Sequence, residues 1–460
     1  MSGYERVNSR LKALLPDRVS VHGDPWYLPY NLTWARSESR PAAIVHCAEP
    51  RDAQIAVLCA LEADVPLSVC GGGHDWAGRA LCDGVVLDLS AMRGVSITSD
   101  GRSARVGGGA RGIDLFPLTD PNGLAPVTGS AGMVGLAGLT LGGGYGPLSG
   151  RFGLACDNLL AADVILPDGR LVTASNSMDH NLMWALRGGG GNFGVVVSMT
   201  LALHQVSSVR SGLALYSLEQ AQSVIEAVSE IAAAADDALD IQMALMPGPY
   251  GGAAVLAVIP TWSGPLNQAE AQIAPLLSLG ALMYSDIRTS PYGESRRIFD
   301  AHVVPGRRTA MTARWVSTLE KEAISVLIEQ VRRRPSPLCS VITHNFHGAA
   351  ARVKPHSTAF GLREPHVMLE LLAQISVEDG NGAAERAWVE ETAAALDPFC
   401  LPGGYPNLLG PDEAARSCDG FGNNLDRLIL VKRTYDPNNL FRSALSLPST
   451  DVPTSSVVTL

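Results

Sequence analysis

Three clusters of glycine constrain this chain more than any other feature. The first, Gly71-Gly72-Gly73, stands between Cys70 and His74; the second spreads from Gly129 to Gly153; the third is Gly188-Gly189-Gly190-Gly191-Asn192-Phe193-Gly194. Glycine makes up 47 of the 460 residues, an excess over the usual ~7% that is gathered into these blocks. Clustered glycine removes side chains from a turn and lets backbone approach a ligand closely. Successive N–H groups in such a turn form a concavity that suits an anion. The first cluster follows a predicted strand, Pro66–Cys70, and ligands of open α/β sheets bind beyond the carboxyl ends of strands. Taken alone, the segment fits a plain turn with a surface histidine as well as it fits a phosphate cradle.

The formal net charge of −10 argues against nucleic acid and against an anionic membrane surface as partners, since both need a basic face. No uncharged apolar run approaches the ~20 residues of a membrane span, and Met1 to Asn8 has no apolar core of a signal peptide. None of the eight cysteines lies within four residues of another, so no redox or zinc pair is expected. A reducing, cytoplasmic setting is the reading that follows.

From Ala42 the chain alternates strand, helix, strand: 42–47, a helix opened by Pro50 to about Leu61, 66–70 and 84–89, after a leading helix around Arg10 to Leu15. Hairpins are expected at Ser99-Asp100-Gly101 and Asp168-Gly169, then a short helix 181–187 and a strand 195–203. Near Val206 the glycine clusters stop. Helices 217–235 and 317–333, each with a Ser-x-x-Glu or Ser-x-x-Gln start, and 384–396 alternate with strands 241–245, 254–260, 310–315, 341–346 and 366–374. Asp379 to Gly382 reads as a loop, and a last helix runs from about Asn424 to Tyr435. The expected domains are 1–205, 206–409 and a return segment 410–460.

Several chemistries lack their motif. Gly189 to Gly194 fits G-x-G-x-x-G but precedes a strand, the wrong order for a dinucleotide fold; Gly107 to Gly112 follows a strand but lacks a convincing βαβ unit. His344 and His347 sit three apart on a predicted strand, so they face opposite sides and do not form a metal pair. No P-loop and no G-x-S-x-G elbow is present.

Four ordered blocks carry a resemblance: Val69 to His74, Gly129 to Gly146, Trp184 to Val196, and Tyr435-Asp436-Pro437-Asn438-Asn439-Leu440-Phe441. Together they resemble the berberine bridge enzyme-like flavoproteins. The fold this implies is α+β, with a two-subdomain FAD-binding domain of vanillyl-alcohol oxidase type and an antiparallel-sheet substrate domain covered by helices. The resemblance implies FAD joined covalently through His74 to its 8α-methyl carbon, with cofactor contacts from Gly71, Gly72, Gly73, Asp75, Gly129, Ser130, Val134, Gly135, Gly138, Gly142, Gly143, Gly146, Gly194, Val196 and Asn407. A second, cysteine link found in some relatives maps to Ala131, so one bond is expected. Cys70 stands where an arginine is usual, and Asp75 where Ser or Thr is common.

Val134 matches a position where a valine leaves room for oxygen, which points to an oxidase. Tyr405 and Tyr145 are the expected active-site phenols. A tyrosine works as a base near neutrality only where charge or hydrogen bonds favour phenolate. His344, Asn345, His347 and Arg363 are plausible pocket residues. The activity implied is oxidation of a small organic molecule of secondary-metabolite type, with O2 as acceptor. A sugar or alcohol oxidase, or a non-catalytic flavin-binding protein, are the alternatives. Substrate identity and oligomeric state are left open.

Overall fold

A computed structural model describes residues 2–376, 381–442 and 447. Its strands form three sheets. The first contains β1 (Val19–Ser20), β2 (Ala43–His46), β3 (Leu67–Cys70) and β4 (Val85–Asp88), in the order β1-β2-β4-β3. Strands β2, β4 and β3 are parallel, with Val45 and Val69 both beside Leu87. Their residues are mostly apolar and nearly all buried, as in strands covered on both faces. Helices Gly3–Leu14 and Pro50–Ala63 supply one cover, placing Val7, Leu11, Ala53 and Val57 in a core with Val45, Leu67 and Leu87. The first helix begins earlier than the expected Arg10, because Ser2 and Glu5 form a reciprocal capping box.

The second sheet is built on β10 (Val195–Gln205), the strand that leaves the third glycine cluster. It adds β5 (Val95–Ile97), β6 (Ser103–Gly107), β8 (Leu159–Ile165) and β9 (Leu171–Ser175) in the order β5-β6-β10-β8-β9, with β7 (Leu124–Pro126) pairing the far end of β10.

The third sheet has seven antiparallel strands: β11 (Val209–Ser217), β12 (Leu239–Pro247), β13 (Ala254–Trp262), β14 (Tyr284–Ser290), β15 (Arg308–Val316), β16 (Cys339–Phe346) and β17 (His366–Ile375), ordered β14-β11-β13-β12-β16-β17-β15. Helices Ala221–Ala233, Lys321–Arg332 and Ala383–Leu396 pack on one face and share its core. Side chains alternate along a strand, so the other face carries Met368, Glu370, Leu372 and Gln374 on β17 with His344 and Ile342 on β16, Ile342 lying beside Glu370.

Both Ser-x-x-Glx starts are displaced. A 3-10 turn, Leu218–Gln220, precedes the helix at Ala221, and the Ser217 hydroxyl caps no helix N–H. The second helix begins at Lys321 because residues 317–319 first seat Leu319 in the core. Strands β11 and β14 and the helices Gly112–Thr119, Leu136–Leu141 and Ala414–Phe421 were not foreseen. Pro117 and Gly138 lie inside two of those helices, against propensity. Of the expected loop 379–382, Asp379 and Gly380 lie outside the described residues, as does most of 443–460.

The last helix, Leu425–Tyr435, packs on His180–Leu186 and is locked by a buried cation. Lys432 Nζ donates to the Asn192 and Phe441 carbonyls, 2.8 and 2.7 Å, and pairs with the Asp436 carboxylate, which also accepts the Leu440 and Phe441 N–H groups. The tail is thus tied to the third glycine cluster. Removing one partner of a buried pair leaves the other charge uncompensated. Lys432→Met is expected to cost about 3–5 kcal/mol, read as a lower urea midpoint, while the exposed-surface change Arg332→Ala stays within about 0.5 kcal/mol.

Candidate active site

The first two glycine clusters meet backbone to backbone. A Cβ on Gly72 would strike the Cα of Gly135, and one on Gly73, at φ +72°, would strike the Leu32 carbonyl. Only glycine permits this approach at both positions. Among the described residues the N–H groups of Gly72, Gly73, His74, Ser130 and Ala131 donate to no other group. Two sets of free backbone donors therefore face one cavity, an arrangement suited to a pyrophosphate. The indole N–H groups of Trp34 and Trp76, which line the same cavity, are buried and unpartnered. Buried donors of this kind are costly without an acceptor, so the cavity fits an occupant rich in oxygen and nitrogen, as FAD is.

All three sheets contribute walls. Gly71, Gly72, Gly73, His74, Asp75, Gly129, Ser130, Val134, Gly135, Gly138, Gly194, Val196, Tyr145, Tyr405 and Asn407 line the cavity, and Ala131 is there with them. Gly142, Gly143 and Gly146, expected at the cofactor, do not line it. Gly142 backs the Asn407 amide, Gly143 lies against the Phe360 ring, and Gly146 presses on the Thr128 carbonyl. Their role is to let this segment fold tightly behind the phenols.

The His74 ring stacks on Trp34, 4.9 Å between centroids and 15° between planes. Desolvation lowers its pKa, against the opposing charges of Glu370 and Asp75, so the imidazole is neutral near pH 7. Asp75 spends its carboxylate on its own loop, accepting from Ala77 N at 3.2 Å and Ala80 N at 2.9 Å. Arg79 then reaches across to the Pro406 and Leu409 carbonyls and fixes the segment that carries Tyr405.

Neither phenol is a free base. Tyr145 Oη lies 2.7 Å from His366 Nε2, and His366 Nδ1 lies 2.7 Å from the Glu364 carbonyl. A carbonyl only accepts, so Nδ1 carries the proton, Nε2 accepts, and Tyr145 donates. Tyr405 Oη accepts from Gly144 N at 3.1 Å and Asn407 Nδ2 at 3.0 Å. Those donors favour phenolate, yet burial outweighs them and raises its pKa, as it does for Tyr145. Both are neutral phenols at pH 7.

On the opposite wall, His344 Nε2 lies 3.1 Å from Glu370 Oε2, and its Nδ1 lies 3.3 Å from Gln242 Nε2. The amide donates to Nδ1, so Nε2–H points at the carboxylate. Glu370 Oε1 accepts no bond among the described residues. Its charge acts on both His74 and Tyr405. Of the other pocket expectations, His344 lines the cavity, whereas Asn345, His347 and Arg363 do not. His347 packs against Gly150 just past β16, and Arg363 is buried in a pair with Asp157 at 2.7 Å.

Sequence reasoning missed Glu370, Gln242, Trp34, Trp76 and Arg79. Glu370 left a readable trace, a carboxylate at an inward position of the apolar run 367–373. Trp34 left none, since its meeting with the glycine turn is purely tertiary. Among the described residues, no group of three or more metal-ligating side chains occurs.

Residues 41–175 match the family described as FAD binding domain, and residues 404–448 that described as berberine and berberine like. The chain is 31% identical over 450 residues to the FAD-linked oxidoreductase YgaK of Bacillus subtilis, covering 95% of this chain and 98% of that one. It is 29% identical to (R)-6-hydroxynicotine oxidase of Paenarthrobacter nicotinovorans, over 90% and 92%. Among solved structures, 6-hydroxy-D-nicotine oxidase from Arthrobacter nicotinovorans superposes with a TM-score of 0.84 at 27% identity, covering 93% and 97%. Berberine bridge enzyme superposes at 0.86 and 20% identity, covering 97% and 99%, a likeness of fold. The fold is thus that of the vanillyl-alcohol oxidase-type flavoproteins. The chain belongs to the berberine bridge enzyme-like family of FAD-linked oxidoreductases.

The Tyr145–His366 bond has a pH signature. Burial pushes the His366 pKa down to about 4 from 6.5. The unfolded chain binds that proton below its ordinary value and the fold only below about 4. Stability is therefore full above pH 6.5 and falls as pH drops toward 4, by roughly 3 kcal/mol at most. Unfolding free energies between pH 7 and 4.5 should fall less steeply in His366→Gln than in the parent.

Proposed function

We propose that this protein is an oxidase of a small organic, secondary-metabolite-type molecule, with FAD held through one covalent bond from His74 and dioxygen as acceptor. The observation that carries the reading is that Glu370, Tyr405 and His74 border one cavity, with one Glu370 oxygen held by His344 at 3.1 Å. Bound FAD supplies hydride acceptance from a substrate carbon and return of two electrons to O2. The unpaired donors of 72–74 and 130–131 hold its pyrophosphate, and Val134 leaves the space oxygen needs.

Glu370 takes the proton of a substrate O–H or N–H. His344 steadies its carboxylate through Nε2–H, and Gln242 fixes the tautomer that makes this possible. Tyr405, its oxygen already accepting from Gly144 and Asn407, directs its own hydrogen into the cavity and orients the substrate's acceptor atom. Tyr145 stands beside it, 4.9 Å between ring centroids, and shapes that wall.

The reading extends to domain limits of 1–205 with 410–460 for the cofactor and 206–409 for the substrate. Membership of β11 to β17 in one sheet supports it. It also extends to a cytoplasmic setting, supported by the spacing of the eight cysteines, none within four residues of another. Among the described residues no helix is long and apolar enough to cross a membrane.

Two measurements test the reading. Acid-precipitated protein should stay yellow, and the His74→Ala pellet should be colourless; a colourless parent pellet overturns the covalent link. With a turned-over substrate, Glu370→Gln should lower kcat/KM by about 10²–10⁴ with flavin content unchanged, measured as oxygen uptake. An unaltered rate would remove Glu370 from the proton step.

A further inference from the structure

The His74 ring makes no hydrogen bond to any described residue, and a singly bonded imidazole on a bare glycine turn can rotate about its side-chain bonds. The indole of Trp34 restrains it, stacked 4.9 Å away and 15° from parallel. That indole is held in place by a strap, residues 32–34, built onto the same turn. Trp34 N donates to the Gly73 carbonyl at 2.7 Å, and Cys70 Sγ to the Leu32 carbonyl at 3.3 Å. Gly73 has no side chain to obstruct Leu32. The strap is fixed from the other side too, where Gly306 N donates to the Trp34 carbonyl at 2.9 Å and Arg36 N to the Arg307 carbonyl at 2.8 Å. Backbone bonds thus set the indole, and the indole sets the imidazole.

We propose that Trp34 is a positioning residue for the covalent attachment of flavin to His74. The inference rests on the covalent reading given above. In that attachment His74 exchanges its N–H for a bond from nitrogen to the flavin's 8α-methyl carbon. The N–H hydrogen and one methyl hydrogen leave, and their two electrons reduce the ring system until dioxygen takes them up as hydrogen peroxide. Attack requires the imidazole nitrogen to be aimed at one carbon, and a reacting pair gains rate from being held in such a pose. Parallel stacking removes ring rotation out of the indole plane while leaving both nitrogens free at the edge. Cofactor binding draws on the backbone donors of 72–74 and 130–131, which a change of the Trp34 side chain leaves in place, and the Trp34 indole N–H adds one donor to that set, so attachment is compared per bound flavin.

The test is a time course of apo-protein with added FAD, comparing parent, Trp34→Leu, Trp34→Phe and His74→Ala. Total bound flavin is read by absorbance after desalting, and covalent flavin by fluorescence of the denatured protein on a gel. Trp34→Leu should retain bound flavin but form the covalent product, per flavin bound, about three- to tenfold more slowly than the parent, the range an aromatic stack is worth. Trp34→Phe, which retains a stacking face, should recover most of the rate. Attachment in Trp34→Leu at the parent rate overturns the positioning role. Loss of total flavin in Trp34→Leu and Trp34→Phe alike overturns it too, since Trp34 would then serve binding. Parent protein without covalent flavin instead overturns the histidine link on which the proposal stands, and so separates the two failures.

Discussion

The contact of Gly72 with Gly135 is the constraint on which the site depends. The two segments come from different sheets, one leaving β3 and the other lying between β7 and β8, and any side chain at either position would force them apart. With them in contact, two sets of unpaired N–H groups border one space. The same closeness brings residues 32–34 onto the turn. A backbone contact of this kind gains little energy from its own atoms. It is maintained because the surrounding cores, with Val45, Leu67 and Leu87 on one side and Leu136, Leu141 and Val196 on the other, are packed independently of it.

Charge in the cavity is arranged with the same economy. Asp75 and Arg79 are both consumed by backbone partners, so neither is available to a ligand as a free ion. Glu370 retains one uncommitted oxygen while His344 and Gln242 hold the other in register. The carboxylate stands among apolar neighbours such as Ile342, Met368 and Leu372, with one imidazole hydrogen-bonded to it. The buried phenols complement it. They are neutral, and each has its oxygen's bonding fixed by a partner from a distant segment, Gly144 for Tyr405 and His366 for Tyr145.

Much of this was legible in the sequence, for identifiable reasons. The glycine turn, the strand ends and the helix opened by Pro50 are local signals, written in adjacent residues. The antiparallel third sheet showed through its apolar runs. What escaped is what tertiary contact alone creates. Gly138 and Pro117 argued against helices that packing nevertheless stabilises. Glycines 142, 143 and 146 look in sequence like those at 71–73, yet they serve the fit of Phe360, Asn407 and Thr128. No pattern distinguishes a glycine that faces a ligand from one that faces a ring.

The phenols show why motif and role have to be separated. In sequence both Tyr405 and Tyr145 are candidate active-site phenols, and Tyr405 is the one expected to take a proton. Their partners decide otherwise. A ring nitrogen that accepts, as His366 Nε2 does, leaves Tyr145 a donor. Two N–H donors on Tyr405 Oη could have sustained a phenolate in a wetter site, but full burial without a compensating cation outweighs them. For that reason the proposed proton acceptor is Glu370, a cavity carboxylate with one oxygen outside any hydrogen bond among the described residues, on the strand whose alternation turns it inward.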